Sequence, residues 1–263
     1  MQPGKLHRWN RIFREDRNSI IVAMDHAGGG GPLPGLEKPG ETIAKLVEAG
    51  VDAIMTSYGT ARTFQAQLKG KGLIVRIDSG DHLQYSVEDA VRIGADSVIT
   101  MGWVHDDFTK NKHLAYMAEV AGDCERWGVP YLAEMIPYEN HPFFYDEATP
   151  PQDPLEKAIA RACRIGAEMG ADYIKSMYPG SPEEFKLAVE GCYLPILILG
   201  GTFREGKTRE VFEEVWGAMQ AGGHGVVMGR NIWSHPNPDK VTRALNVLIH
   251  EGGTVDEAME AME

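Results

Sequence analysis

Four times along the chain an amphipathic helix passes through a glycine into a short apolar strand. The stretches are Glu48-Ala49-Gly50-Val51-Asp52-Ala53-Ile54-Met55, Arg92-Ile93-Gly94-Ala95-Asp96-Ser97-Val98-Ile99, Glu168-Met169-Gly170-Ala171-Asp172-Tyr173-Ile174-Lys175 and Gln220-Ala221-Gly222-Gly223-His224-Gly225-Val226-Val227. Glycine suits the end of each helix because it enters the left-handed backbone region without a steric penalty. The strands lack polar alternation, as parallel strands covered on both faces require. Extending the same reading predicts strands near 19–25, 52–57, 73–78, 97–102, 131–136, 173–178, 195–200 and 225–229. Helices are predicted near 40–49, 60–69, 85–93, 110–127, 154–169, 181–190, 207–221 and 237–250. About eight such units in strict alternation, with no break in composition, point to the α/β class and a closed (β/α)8 TIM barrel. A doubly wound open sheet is the alternative, but it usually needs fewer strands. Residues 1–263 read as a single barrel domain, with a short N-terminal cap and a C-terminal helix over 254–263.

Composition narrows the function classes. A formal net charge of -12 argues against a surface that coats nucleic acid. No secretory signal and no apolar run long enough to span a membrane is present. Cys124, Cys163 and Cys192 are odd in number and far apart, which suggests buried thiols in a reducing, cytoplasmic compartment.

In a barrel, chemistry collects where strands end and βα-loops begin. Strand one ends in Asp25-His26, followed by the glycine run 28–31, which leaves space for a ligand to approach the backbone. Strand three ends in Arg76-Ile77-Asp78; Arg76 and Asp78 share a face and either neutralise each other or hold a hydroxyl-rich substrate. His105-Asp106-Asp107 lacks metal-ligand spacing, so no metal is expected there. Glu134 interrupts the apolar strand five, where it should point into the barrel with a perturbed pKa. Strand six carries Lys175 between Ile174 and Ser176. An ammonium on a buried strand face is costly unless paired or deprotonated. Lysines retained in such places often form Schiff bases, and a neighbouring carboxylate can shuttle the protons that chemistry needs. A structural ion pair between Glu134 and Lys175 would fit the same placement. Strands seven and eight end in Gly200-Gly201-Thr202 and Gly229-Arg230, where barrel enzymes hold phosphate with backbone amides and a bidentate cation. Sulfonate or carboxylate would suit those donors equally. The proline- and aromatic-rich stretch 137–153 is a candidate lid.

With these positions laid out, the chain resembles the class I (Schiff-base) aldolases of the archaeal-type fructose-bisphosphate aldolase family, often grouped with deoxyribose-phosphate and tagatose-bisphosphate aldolases. The resemblance rests on Met24-Asp25-His26, Gly170-Ala171-Asp172-Tyr173-Ile174-Lys175, Gly200-Gly201 and Gly229-Arg230-Asn231-Ile232-Trp233. It implies a barrel with Lys175 as Schiff-base former, Asp25 as a substrate-contacting or proton-relay group, and a phosphate site at Gly200, Gly201, Gly229 and Arg230. Ile136 stands where the archaeal-type enzymes have an acid/base tyrosine, and Pro137 is followed by Tyr138-Glu139 in place of Arg-Gly. The stretch 134–138 is more similar to tagatose-bisphosphate aldolases, which moves the acid/base role to Glu134, with Tyr138 second. Thr202-Phe203-Arg204 and Ser57-Tyr58-Gly59 also depart from the family pattern, and they line the substrate pocket.

The expected activity is therefore a metal-independent, cofactor-free aldolase acting on a phosphorylated keto-sugar and an aldehyde. Lys175, Glu134 and Asp25 are the catalytic candidates, and His26, Arg76, Tyr138 and Thr202 the substrate contacts. A thiolase or transaldolase on the same lysine, or a non-catalytic sugar-phosphate-binding barrel, are the alternatives. Outer barrel helices often mediate contacts between copies, so a homo-oligomer is expected, with no nucleic-acid or membrane partner.

Overall fold

A computed structural model describes residues 1–80 and 82–263. Among them are eight strands: β1 (Ser19–Ala23), β2 (Ala53–Ser57), β3 (Gly72–Arg76), β4 (Ser97–Val104), β5 (Tyr131–Pro137), β6 (Tyr173–Ser176), β7 (Ile196–Leu199) and β8 (Gly225–Met228). They close in chain order into a barrel, every neighbouring pair parallel, with β8 returning to β1. The principal outer helices are α3 (Pro39–Glu48), α6 (His113–Trp127), α7 (Leu155–Glu168), α8 (Pro182–Gly191), α9 (Thr208–Gln220) and α11 (Pro238–Ile249). Shorter ones are α1 (Pro3–Trp9), α2 (Ala27–Gly30), α4 (Tyr58–Thr63), α5 (Val87–Arg92), α10 (Arg230–Trp233) and α12 (Val255–Glu260). No helix among the described residues is long and apolar enough to cross a membrane.

The period-2 geometry of the strands sorts side chains into two cores. Ile20, Val22, Ile54 and Val98 face the helix layer, whereas Ile21, Met55, Leu132, Tyr173 and Leu197 fill the barrel interior. The same alternation turns Arg76, Glu134 and Lys175 inward one layer nearer the mouth.

The barrel floor explains the recurring Gly-x-Asp of the sequence. Asp52, Asp96 and Asp172 each accept the backbone N–H that opens a preceding strand, from Ile20 (2.7 Å), Leu73 (2.9 Å) and Tyr131 (2.8 Å). Each also binds a cation of the N-terminal segment: Arg14 at 2.5 Å, Arg11 at 3.2 Å and Lys5 at 2.8 Å. Burial pushes the Asp96 and Asp172 carboxyls upward against their partners. Trp9 stacks on Phe13 (4.2 Å between centroids), and both meet Tyr173 edge-on. The predicted N-terminal cap is thus a plug held by three ion pairs and an aromatic cluster.

Three differences from the predicted elements have local causes. The helix expected over 60–69 divides at Phe64, whose φ of -114° leaves the helical region, into α4 and a 3-10 turn over Gln65–Leu68. The glycine run after Asp25 winds into the single turn α2 instead of staying open. Arg230–Trp233 forms a further helical turn that short-range periodicity does not reveal. The three cysteines are free and buried, as expected.

Candidate active site

Lys175 and Glu134 are register partners on adjacent strands. That pairing sets the Lys175 Nζ 2.6 Å from Glu134 Oε1, with the side chains only 8% and 7% exposed. Arg76 enters from β3, across the mouth. Its guanidinium donates to Glu134 Oε2 and to Asp25 Oδ2, and lies 3.1 Å from Asp78 Oδ1. Asp78 is fixed in turn by the Met101 N–H (2.7 Å) and the Tyr116 hydroxyl (3.3 Å). The result is a chain of alternating charge, Lys175–Glu134–Arg76–Asp25, with Asp78 bound at its middle.

The electrostatics follow from this chain. Burial pushes Glu134 upward, but Lys175 and Arg76 outweigh it and hold the carboxyl below its ordinary value. Asp25 is likewise held low against burial, by Arg76 and then Lys175. At Asp78 burial wins over the same guanidinium and raises the pKa. Arg76 remains charged, because its carboxylate partners overcome the opposing effect of burial. His26 Nδ1 sits 3.4 Å from Asp25 Oδ1. Burial lowers the His26 pKa; the nearby Lys175 and Arg230 charges act the same way, against Asp25.

A cavity of about 660 Å³ opens at these groups. Asp25, His26, Arg76, Glu134 and Lys175 lie in its wall, which continues through Ser57, Tyr58, Gln84, Tyr85 and Trp103. Of the residues singled out from sequence, Tyr138, Thr202 and the expected phosphate-site residues Gly200, Gly201, Gly229 and Arg230 are not in that wall. Thr202 is exposed in the loop after β7. The Tyr138 ring instead stacks on Phe144 at 4.3 Å and meets His105 at 4.1 Å, inside an aromatic cluster with Trp103 and His141. Arg76 lines the cavity, and each of its three nitrogens meets a carboxylate: Nε that of Asp25, Nη1 that of Asp78 and Nη2 that of Glu134. Ser57 and Tyr58 were expected in the pocket; sequence reading passed over Gln84, Tyr85 and Trp103 as site residues, and the signal available was their place at or after the ends of strands three and four.

The stretch 137–153 is fastened by the loop that follows β4. His105 Nδ1 lies 3.1 Å from Glu139 Oε1, and the Asp106 N–H donates to Glu139 Oε2 at 3.1 Å. Asp106 also accepts from the Gln152 N–H (2.7 Å) and pairs with Arg161. The triplet 105–107 is a tether for this segment. Asp107 caps the following 3-10 turn through the Thr109 N–H.

On the opposite rim the ends of β7, β8 and β1 converge. The Asn231 amide donates to Gly200 O, and its carbonyl accepts from the Arg204 N–H at 3.1 Å. A Cβ at Gly229 would lie 2.5 Å from Ala23 O and 3.0 Å from His26 Cε1, so only glycine allows these strands to close on each other. Gly201 adopts φ +65°, a left-handed value. Arg204 is occupied by a two-pronged pair with Glu214 at 2.7 Å. Arg230 differs. Its Nε is buried without a hydrogen-bond partner, it pairs with no carboxylate among the described residues, and burial lowers its pKa. An unpaired guanidinium beside glycine-rich strand ends is suited to an anion.

Comparison with known proteins adds to this geometry. The model of the DeoC/LacD family aldolases matches residues 19–235. The 2-amino-3,7-dideoxy-D-threo-hept-6-ulosonate synthase of Halobacterium salinarum is 32% identical over 97% of this chain and 95% of its own length. A structure of a Schiff base-forming fructose-1,6-bisphosphate aldolase superposes with a TM-score of 0.78 at 26% identity, covering 93% of this chain and 99% of the other. An archaeal fructose-1,6-bisphosphate aldolase with its catalytic lysine covalently bound to a carbinolamine intermediate is similar at TM-score 0.78 and 26% identity, covering 94% and 99%.

Proposed function

Because the chain belongs to the DeoC/LacD family of aldolases, enzymes that make or break a carbon–carbon bond, we propose that it does so through a Schiff base on Lys175. The observation that carries this reading is the 2.6 Å pair of Lys175 with Glu134, buried in the wall of the cavity at the barrel mouth.

The pair supplies the proton transfers in order. Glu134, held ionised by Arg76 and Lys175, accepts a proton from the Lys175 ammonium when substrate displaces the ion pair. The free amine attacks the ketone carbon to give a carbinolamine. Glu134 returns the proton to the departing hydroxyl, water leaves, and an iminium forms. The bond between the carbons α and β to the iminium then breaks, its electrons forming the enamine double bond, as a carboxylate, Asp25 or Glu134, takes the proton of the β-hydroxyl, which becomes the carbonyl of the leaving aldehyde. Reprotonation of the enamine carbon and hydrolysis release the ketone and restore Lys175. The iminium is the electron sink, so these residues complete the cycle without a bound metal.

The ketone half is phosphorylated and anchored at Gly200, Gly201, Gly229 and Arg230. The orphaned Arg230 guanidinium supports this placement. Borohydride reduction in the presence of dihydroxyacetone phosphate, followed by peptide mapping, tests the mechanism. A reduced adduct on Lys175 is expected; labelling elsewhere, or none with any phosphorylated ketose, overturns it.

A further inference from the structure

We infer that the aldehyde half of the substrate is uncharged, and that Ser57, Tyr58, Gln84 and Tyr85 form the subsite that receives it. This rests on the Schiff-base reading above and adds the substrate class. Among the described residues none of the β7 and β8 loops lines the cavity, which meets their rim only through Asp25, His26, Gly28 and Gly29 after β1; the rest of its wall runs the other way, past the ends of β5, β4, β3 and β2. A ketose attached at Lys175 with its phosphate at Arg230 therefore projects its distal carbons into that space.

The wall there has a distinct chemistry. Among the described residues that line it, the cations are Lys175 and Arg76, with the titratable His26 also in the wall. Lys175 is the proposed nucleophile. Arg76 is shared by Asp25, Asp78 and Glu134, three carboxylates to one guanidinium. Among the described residues no further cation lines the cavity. A phosphate on the aldehyde would add up to two negative charges at pH 7 beside three carboxylates, and would leave water without a charged partner.

What the wall does present suits a polyhydroxylated carbon chain. The Ser57 hydroxyl and the Gln84 amide offer neutral donors and acceptors. The rings of Tyr58 and Tyr85 stack at 4.1 Å with 9° between planes, forming a flat apolar platform. The platform is held in place because the Gln84 and Tyr85 N–H groups both donate to Ile77 O, at 2.8 and 3.1 Å.

The test is aldol addition of dihydroxyacetone phosphate to unphosphorylated aldehydes (glyceraldehyde, erythrose) and to their terminal phosphates, with borohydride trapping run on the same protein. We expect kcat/KM for the unphosphorylated aldehyde to exceed that for its phosphate by about tenfold or more, the scale of one missing charged hydrogen bond. Gln84→Lys, which places an ammonium in the wall, should narrow that ratio at least severalfold. Tyr85→Ala should raise the KM for the aldehyde. A phosphorylated aldehyde used equally well or better overturns the inference. So does failure of every unphosphorylated aldehyde in protein that still traps the ketone, or a Gln84→Lys variant that traps normally with the ratio unchanged. Absence of trapping on Lys175 removes the Schiff-base reading itself, and the inference with it.

Discussion

Replacing Arg76 with methionine tests whether one guanidinium organises the charge chain at the barrel mouth. The side chain is 15% exposed and touches Asp25, Asp78 and Glu134, themselves 12%, 0% and 7% exposed. Removing one partner of a buried ion pair typically destabilises by about 3–5 kcal/mol, because the other charge stays behind unpaired. Here the residue borders an open cavity, so the lower end applies, about 3 kcal/mol at pH 8. The pH dependence is the sharper readout. In the native protein Asp25 and Glu134 titrate below their ordinary values, so their stabilising contribution is present above pH ~4 and fades as pH falls further. Without Arg76, burial acts on both carboxyls with only Lys175, and at Asp25 also His26, opposing it, and their folded-state pKa values rise. A carboxyl whose folded pKa lies above its unfolded one destabilises at high pH and ceases to do so once protonated. The stability gap between native and variant protein should therefore be widest near pH 8 and close progressively towards pH 4. Urea midpoints, taken with the slopes at pH 8, 6 and 4.5, measure it. Arg76→Lys keeps a charge but cannot fork to three carboxylates, so it should fall between the two. A gap below about 1 kcal/mol at pH 8, the scale of an exposed pair, or one constant down to pH 4.5, would refute the reasoning.

Other substitutions separate the remaining roles. Glu134→Gln preserves shape but removes the proton shuttle, and should lower kcat by about 10²–10⁴ with slower imine formation in stopped-flow trapping; an unaffected rate would return the acid/base role to another group. Arg230→Met should raise the KM for dihydroxyacetone phosphate by about tenfold to a hundredfold, with little change in kcat, and weaken competition by inorganic phosphate. Gly229→Ala would force a methyl to within 2.5 Å of Ala23 O and 2.9 Å of the Trp233 indole nitrogen, so it should cost about 1–3 kcal/mol in thermal or urea unfolding; native-like stability would show that β8 and β1 can part at no penalty.

Much of this architecture is local and was legible in the chain. A glycine in the left-handed region ends a helix through its own backbone freedom, as at Gly50, Gly94 and Gly170. Apolar strands of period two place Tyr173 and Lys175 on one face whatever the rest of the fold does. These rules yielded the barrel and put Lys175 and Glu134 on adjacent strands. Element ends were less legible, as at Phe64, because a dihedral change there carries no composition signal.

Residues whose roles depend on groups far away in sequence were decided by tertiary structure. Arg76 read equally as a substrate contact or a neutralising partner; closing the barrel brought Asp25 and Glu134, 51 and 58 positions away, within its reach. Tyr138 sits one residue beyond β5, but the segment after it folds back and sequesters the ring against Phe144 and His105. The open space beside Lys175 depends on how six strand ends and their loops are arranged, so its wall, charged near Lys175 and tyrosine-lined beyond, appears in no single stretch. Periodicity and glycine placement are properties of neighbouring residues, and the sequence by itself determined the barrel and its inward-facing lysine. Charge pairing across the barrel and the shape of its cavity depend on strand register and side-chain conformation around the closed ring, and only the tertiary structure decided them.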